Sequence, residues 1–194
     1  MSTKICSRLI VIAAWLLMAF PACVNAADML KMCVSCHGED GRGTDSDTPI
    51  ISGISAAVQE DALYSYASGA RDCGATPMMC KMAARLTDEQ IVELSAHYAD
   101  IAFVPAGEEF DAALAEKGQA IHQESCAICH GGSEPGKPNA SILHGQRMGY
   151  MRYALQQYAA AERQQMPMME RKTVQLTGDD IEALVHFYAS YRAP

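Results

Sequence analysis

Positive charge is scarce in this chain. Fifteen Lys and Arg stand against 23 Asp and Glu in 194 residues, for a formal charge of −8. A protein that grips nucleic acid by its phosphates needs clustered basic residues, so that class is excluded. Aromatic residues reach only 7 %, with a single Trp. No stretch alternates apolar and polar residues with period two, so no sheet is expected. The apolar run at residues 9–20 is too short to span a bilayer, which takes about 20 residues. What is present is more informative. A hydrophobic content of 49 % with 20 % charged residues argues against bulk disorder. Twelve Met and eight Cys are many for this length. Eight cysteines are too many to be incidental and too few for a pure disulfide scaffold.

The first 26 residues read as a secretory leader. Lys4 and Arg8 form a basic start, residues 9–20 the apolar stretch, and Val24-Asn25-Ala26 a site for cleavage after Ala26. A retained membrane anchor and lipid attachment at Cys23 are the alternatives, and Phe20-Pro21-Ala22 matches a lipoprotein signal poorly. Cleavage removes Cys6 and Cys23, leaves 168 residues and takes the formal charge from −8 to −10. The expectation is an acidic periplasmic protein without a permanent membrane anchor, in an oxidising compartment.

The remainder is a duplication. Cys33-Val34-Ser35-Cys36-His37-Gly38 returns 93 residues later as Cys126-Ala127-Ile128-Cys129-His130-Gly131. Ser52-Gly53 returns as His144-Gly145, and Leu63, Tyr66 and Arg71 as Leu155, Tyr158 and Arg163, each 92 residues on. Met79 and Leu86-Thr87 return as Met169 and Leu176-Thr177, 90 residues on. The order is kept, and the unit is far longer than a solenoid repeat. Pro105 and Gly107 mark the join. The expected organisation is a leader at 1–26, a first domain at 27–104 and a second at 105–194. Both should be all-α. Residues 88–101 carry Ile91, Leu94 and Tyr98 at helical spacing behind a Thr87–Gln90 capping box, with a looser Thr177–Asp180 version in the second copy. Residues 110–125 form a further helix leading into the second Cys pair. Domains this small have thin cores and often depend on a cofactor or a staple.

Cys-x-x-Cys-His is the haem attachment signature. Cysteines three apart share one face of a helical turn, so both sulfurs can form thioethers to the vinyl groups of one porphyrin. The following His is turned to the iron. A zinc ribbon needs Cys pairs about 15 to 20 residues apart, and a thioredoxin-type pair needs a βαβ setting; neither is present. We therefore expect two covalently bound c-type haems, held by Cys33 and Cys36 and by Cys126 and Cys129. His37 and His130 are the first axial ligands.

The second axial ligand should be a Met from later in each copy, because His/Met ligation suits electron transfer. Of Met78, Met79 and Met82, and of Met166, Met168 and Met169, the pair Met79 and Met169 keeps register, each eight residues before the capping Thr. Met78 and Met168 are the runners-up, and flexible core filling is the plainer use of Met. Two His/Met irons leave no open site for oxygen or peroxide chemistry, so an electron-transfer role is expected rather than catalysis. Pro49, twelve residues after His37, is placed to accept from its ring. The second copy has Ser141 or Ile142 there, which suggests a different acceptor. Arg71 and Arg163 suit haem propionates or else a solvated helix face. Tyr66 and Tyr158 suit pocket linings or ordinary core positions. Cys73 and Cys80 occur in the first copy alone. A disulfide bracing the Met79 loop is the default in an oxidising compartment; a redox or metal-binding thiol pair and free thiols are the alternatives.

With these residues assembled, the chain resembles the two-haem, two-domain class I cytochromes c of bacteria. Within that group it looks most like the cytochrome subunit of flavocytochrome c sulfide dehydrogenase. The segments behind the finer likeness are Phe110-Asp111-Ala112-Ala113-Leu114-Ala115, Ile142-Leu143-His144-Gly145-Gln146 and Met169-Glu170-Arg171-Lys172. The likeness implies a periplasmic haem subunit that takes electrons from an FAD-containing, sulfide-oxidising partner and passes them to a small soluble acceptor. The alternative is a free-standing carrier that feeds a terminal oxidase or another reductase. Cys73, Cys80 and the Gly131-Gly132 pair depart from that family's pattern.

Overall fold

The computed structural model describes residues 26–73, 77–131 and 140–192. The expected leader and Gly132 lie outside these, apart from Ala26, which opens the first helix. Among the described residues the secondary structure is helical, with one isolated antiparallel bridge, between Arg71 and Arg163. The first copy holds α1 (Ala26–His37), α2 (Ala56–Ala67), α3 (Met78–Ala83) and α4 (Asp88–Ala99). The second holds α5 (Ala112–Ser125), α6 (Ala127–His130), α7 (Met148–Ala159), α8 (Pro167–Thr173) and α9 (Gly178–Ala189). No described helix is long and apolar enough to cross a membrane.

The helix starts follow local chemistry. Thr87 accepts from the Gln90 N–H while the Gln90 side chain accepts from the Thr87 N–H, closing a full capping box on α4. Thr177 and Asp180 do the same for α9, so the second box is as complete as the first. The helix expected over 110–125 starts at Ala112, because Asp111 is its N-cap and accepts from the Leu114 N–H at 2.9 Å.

Packing repeats the same plan twice, with unequal thickness. In the second copy α5 lies along α9, and α7 packs against α9. Met151, Leu155, Ile181, Leu184, Val185 and Tyr188 form one buried cluster. Gly118 permits the α5–α9 approach, since a Cβ there would overlap the Ala183 carbonyl. In the first copy α1 touches α4 more briefly, and α2 packs on α3 and α4. Its buried apolar residues are Met29, Ile50, Ala83, Ile91, Leu94 and Tyr98.

The two copies meet through the 42–50 loop and the 145–150 segment. The Tyr150 N–H donates to the Ser46 carbonyl at 2.9 Å, and the Gly149 N–H to the Ser46 hydroxyl at 3.0 Å. A side chain at Gly149 would strike Asp47 and Ser46, so this approach requires glycine. The Arg147 guanidinium donates to the carbonyls of Arg42 and Gly43 at 3.1 and 3.0 Å. Arg71 and Arg163 are repeat-matched residues that pair with each other. A residue meets its own counterpart only near a local two-fold axis, so such an axis passes close to this bridge.

Candidate haem sites

Each Cys-x-x-Cys-His motif ends a helical run. In the first copy Cys33, Cys36 and His37 occupy the last turns of α1. In the second the helix breaks at Cys126, and Cys129 and His130 lie on the short α6. None of the four motif cysteines is in a disulfide, with Cys36 and Cys129 exposed and Cys33 and Cys126 half-buried. Burial pushes the Cys33 and Cys126 thiols up, which favours their neutral form.

Both motif histidines are prepared as ligands. The Nδ1 of His37 lies 3.2 Å from the Pro49 carbonyl, and that of His130 lies 3.3 Å from the Ser141 carbonyl. A carbonyl only accepts, so Nδ1 carries the proton and Nε2 presents its lone pair. Burial is the main cause that lowers both imidazole pKa values, against the opposing pull of these carbonyls. Both rings are therefore neutral near pH 7, as an iron ligand must be. The acceptor in the second copy stands at the matched place after all. The sequence argument expected a different one because the side chains differ, but the accepting group is backbone and any residue supplies it.

The methionines sort by exposure. Met79 is half-buried in α3 beside Met78, which is 56 % exposed. Met169 is half-buried in α8, while Met166 and Met168 are 72 % and 60 % exposed. Met82 is also half-buried, so exposure alone does not separate it from Met79. Cys73 and Cys80 are joined by a disulfide with a Cα–Cα distance of 6.0 Å, so the loop ahead of α3 is cross-linked.

Arg71 and Arg163 are not on a solvated helix face. Both follow the ends of their helices and enter the contact between copies, where Arg71 is only 6 % exposed. Their guanidinium groups lie over the rings of Tyr66 and Tyr158, at 4.1 and 4.4 Å from the centroids. This is a use that neither reading of those tyrosines foresaw. Arg71 also donates to the Tyr150 hydroxyl at 3.3 Å. Burial raises the Tyr150 pKa, but Arg163 and Arg71 outweigh it and bring it down to about 7. Two cations this close call for anionic groups, and the carboxylates of two porphyrins are of that kind.

Two further histidines have roles that spacing did not reveal. His122 is fully buried where the first copy has Met29, four residues ahead of the Cys pair in each case. Its Nε2 donates to the Gly131 carbonyl at 2.7 Å, so its Nδ1 accepts from the Tyr188 hydroxyl at 3.1 Å. His144 stacks edge-on against His122, Phe187 and Tyr188, and burial is the main cause that takes its pKa down to about 4. For His122 the signal was the polar-for-apolar mismatch with Met29, and for His144 the ring in place of the small Ser52. In the first copy the matched Tyr98 hydroxyl and Ser52 hydroxyl are buried without a hydrogen-bond partner.

The sites fit a covalently held haem in each copy. Each offers two neighbouring thiols, one neutral imidazole with a free Nε2, and a half-buried thioether later in the copy. Among the described residues no three His, Cys, Asp or Glu side chains gather as a protein-only metal site would.

Comparison with known proteins agrees with this arrangement. Residues 113–187 match the family model described as "Cytochrome C oxidase, cbb3-type, subunit III". The chain is 38 % identical to cytochrome c-554(548) of Halomonas halodenitrificans over 71 residues, which is 37 % of this chain and 86 % of that protein. It is 25 % identical to cytochrome c4 of Thiocapsa roseopersicina over 169 residues, spanning 80 % of this chain and 85 % of that one. The solved structure of Acidithiobacillus ferrooxidans cytochrome c4 superposes with a TM-score of 0.75 at 22 % identity, covering 83 % of this chain and 99 % of that one.

Proposed function

Because the chain belongs to the cytochrome c family, we propose that it is a periplasmic carrier with two haems that moves electrons and catalyses no reaction of its own. Bound in each copy, haem iron supplies a one-electron ferric/ferrous couple. The observation that carries this reading is the duplicated arrangement: an imidazole whose Nδ1 is tied to a backbone carbonyl, beside two cysteines outside any disulfide, in both copies. Cys33 and Cys36, and Cys126 and Cys129, hold the two groups covalently. His37 and Met79 in the first copy, and His130 and Met169 in the second, would supply the iron's protein ligands. A thioether ligand favours the ferrous state and raises the potential into the range of carriers. Arg71 and Arg163 receive propionates at the contact between copies, where their own charges need balancing. The likeness to cytochromes c4 along most of the chain supports a two-haem electron carrier.

The competing reading is a haem subunit docked on an FAD-containing, sulfide-oxidising partner. It rests on the three segments given above, and several of their residues have internal duties. Asp111 caps α5, Gly145 donates its N–H to Tyr188, and Gln146 bonds to the first copy. These residues serve the fold and do not by themselves call for a flavoprotein. An acidic chain steers towards a basic partner in either case.

The test is purification from the source under mild conditions, with a haemochrome assay and a search for FAD. Two haems per chain, no flavin and no reduction by sulfide alone support the free carrier. Co-purifying FAD that sulfide bleaches supports the docked subunit. A haem count other than two sinks both. Met79→Ala and Met169→Ala are each expected to abolish the far-red sulfur-to-iron band of one haem alone. An unchanged band would move the ligand to another Met.

A further inference from the structure

Gln146 belongs to the second copy, yet its side chain is occupied by the first. It is 2 % exposed, on the segment between His144-Gly145 and α7. Its Oε1 accepts from the Ile50 N–H at 2.7 Å, and its Nε2 donates to the Ile50 carbonyl at 2.8 Å. The same Oε1 accepts from the Arg147 N–H at 2.9 Å, which fixes the amide's orientation. Ile50 is 0 % exposed, so no water competes for these bonds.

The Ile50 N–H and the Pro49 carbonyl belong to one planar peptide unit. They point to opposite sides of it, so holding the N–H aims the carbonyl. Gln146 holds the N–H, and the carbonyl accepts from His37 Nδ1 at 3.2 Å. The chain of contacts therefore runs from the second copy, through one rigid peptide, to the imidazole of the first haem site. Among the described residues the second copy shows no reciprocal clamp. The residue matched to Gln146 is Ile54, whose side chain has no polar atom to offer the Ser141–Ile142 peptide.

We propose that Gln146 is a positioning residue for the first haem. Acting across the contact between copies, it aims the Pro49 carbonyl at His37, strengthens the Nδ1 hydrogen bond and so lowers the reduction potential of that haem relative to an unclamped one. A stronger Nδ1–H···O bond makes the imidazole a better electron donor and favours ferric iron. The clamp thus separates the two potentials and biases the electron to rest on the second haem. Arg147, held on Arg42 and Gly43, keeps the same loop seated. The inference rests on the reading that His37 ligates the first iron.

The experiment is potentiometric titration of the loaded full-length protein and of Gln146→Met, a replacement of similar size that makes neither bond. The Met79→Ala variant identifies which of the two waves belongs to the first haem. The first haem's midpoint is expected to rise in Gln146→Met while the second stays in place. Gln146→Glu, which keeps an acceptor for the Ile50 N–H, is expected to shift the first midpoint less. A shift confined to the second haem, an equal shift of both, or no shift in a protein with native circular dichroism overturns the proposal. If Gln146→Met does not fold with two haems, the Gln146→Glu titration decides alone by the same criteria. The underlying reading fails separately: His37→Ala would then leave the low-spin spectrum of the first haem unchanged.

Discussion

The two copies carry the same Cys-x-x-Cys-His motif on the same helical plan, and they are stabilised by different means. The second copy has a contiguous apolar cluster, a close α5–α9 crossing at Gly118, and a buried His122 that satisfies the Tyr188 hydroxyl. The first has a briefer α1–α4 contact among the described residues, and buried Tyr98 and Ser52 hydroxyls without partners. It compensates with the Cys73–Cys80 disulfide and with bonds from Gln146 and Arg147 of the second copy. Duplication therefore preserved the cofactor chemistry and let the supporting structure diverge. The ligand geometry tolerates little change, whereas stability can be assembled from several interchangeable sources.

Three variants, one of them a double substitution, break or sharpen this contrast. The largest effect is expected from Gly118→Ala, whose Cβ meets the Ala183 carbonyl and the Phe187 side chain. Overpacking of this kind costs about 3 kcal/mol, and denaturation followed at each haem separately should show the second copy unfolding first. If both copies melted together, they would be one cooperative unit and the contrast would fail.

Next is removal of the disulfide by Cys73→Ser with Cys80→Ser, where the two cysteines are seven residues apart. The loop-closure term is about 2.5 kcal/mol, and the loss should fall on the first copy. The Met79 band should weaken on mild heating while the Met169 band holds. An unchanged melting profile would mean that the disulfide braces nothing.

The smallest effect separates the two helix caps by pH. The Thr177 hydroxyl is the main cause that holds the Asp180 carboxyl below the ordinary range, with the Thr177 N–H and Lys117 adding to it. A group whose folded pKa is depressed contributes stability above its unfolded pKa and loses it as the pH falls through the carboxylate range. The matched residue in the first copy is Gln90, which does not titrate. Asp180→Asn should cost about 0.5 kcal/mol near pH 7, a figure kept small because the pair is solvent-screened, and nothing near pH 2. A cost that persists at low pH would show that charge is irrelevant to this cap.

Chemistry that depends on neighbours in sequence was legible from sequence. Cys33, Cys36 and His37 must be adjacent to serve one porphyrin, and Thr87 must precede Gln90 by three residues to cap α4. Such constraints leave fixed spacings. Register between the copies sets Met79 and Met169 apart from the neighbouring methionines as the proposed second ligands. What stayed hidden had one cause, that the deciding atom belonged to another element. The Ser141 acceptor is a backbone carbonyl, to which side-chain identity is irrelevant. Arg71 and Arg163 lie past their helix ends and meet each other rather than solvent. Gln146 finds its partner 96 residues away, and its only trace in the sequence is Ile54 at the matched position.

By itself the sequence determined an acidic, helical, duplicated chain with two haem attachment motifs, because thioether spacing, capping and repeat register are local properties. The tertiary structure alone decided how the copies touch. It brought Arg71 to Arg163, seated the 42–50 loop against the start of α7 and made the surroundings of the two histidines unequal. No spacing encodes those contacts. They arise where two surfaces, each folded by its own local rules, bury polar groups that then have to satisfy one another.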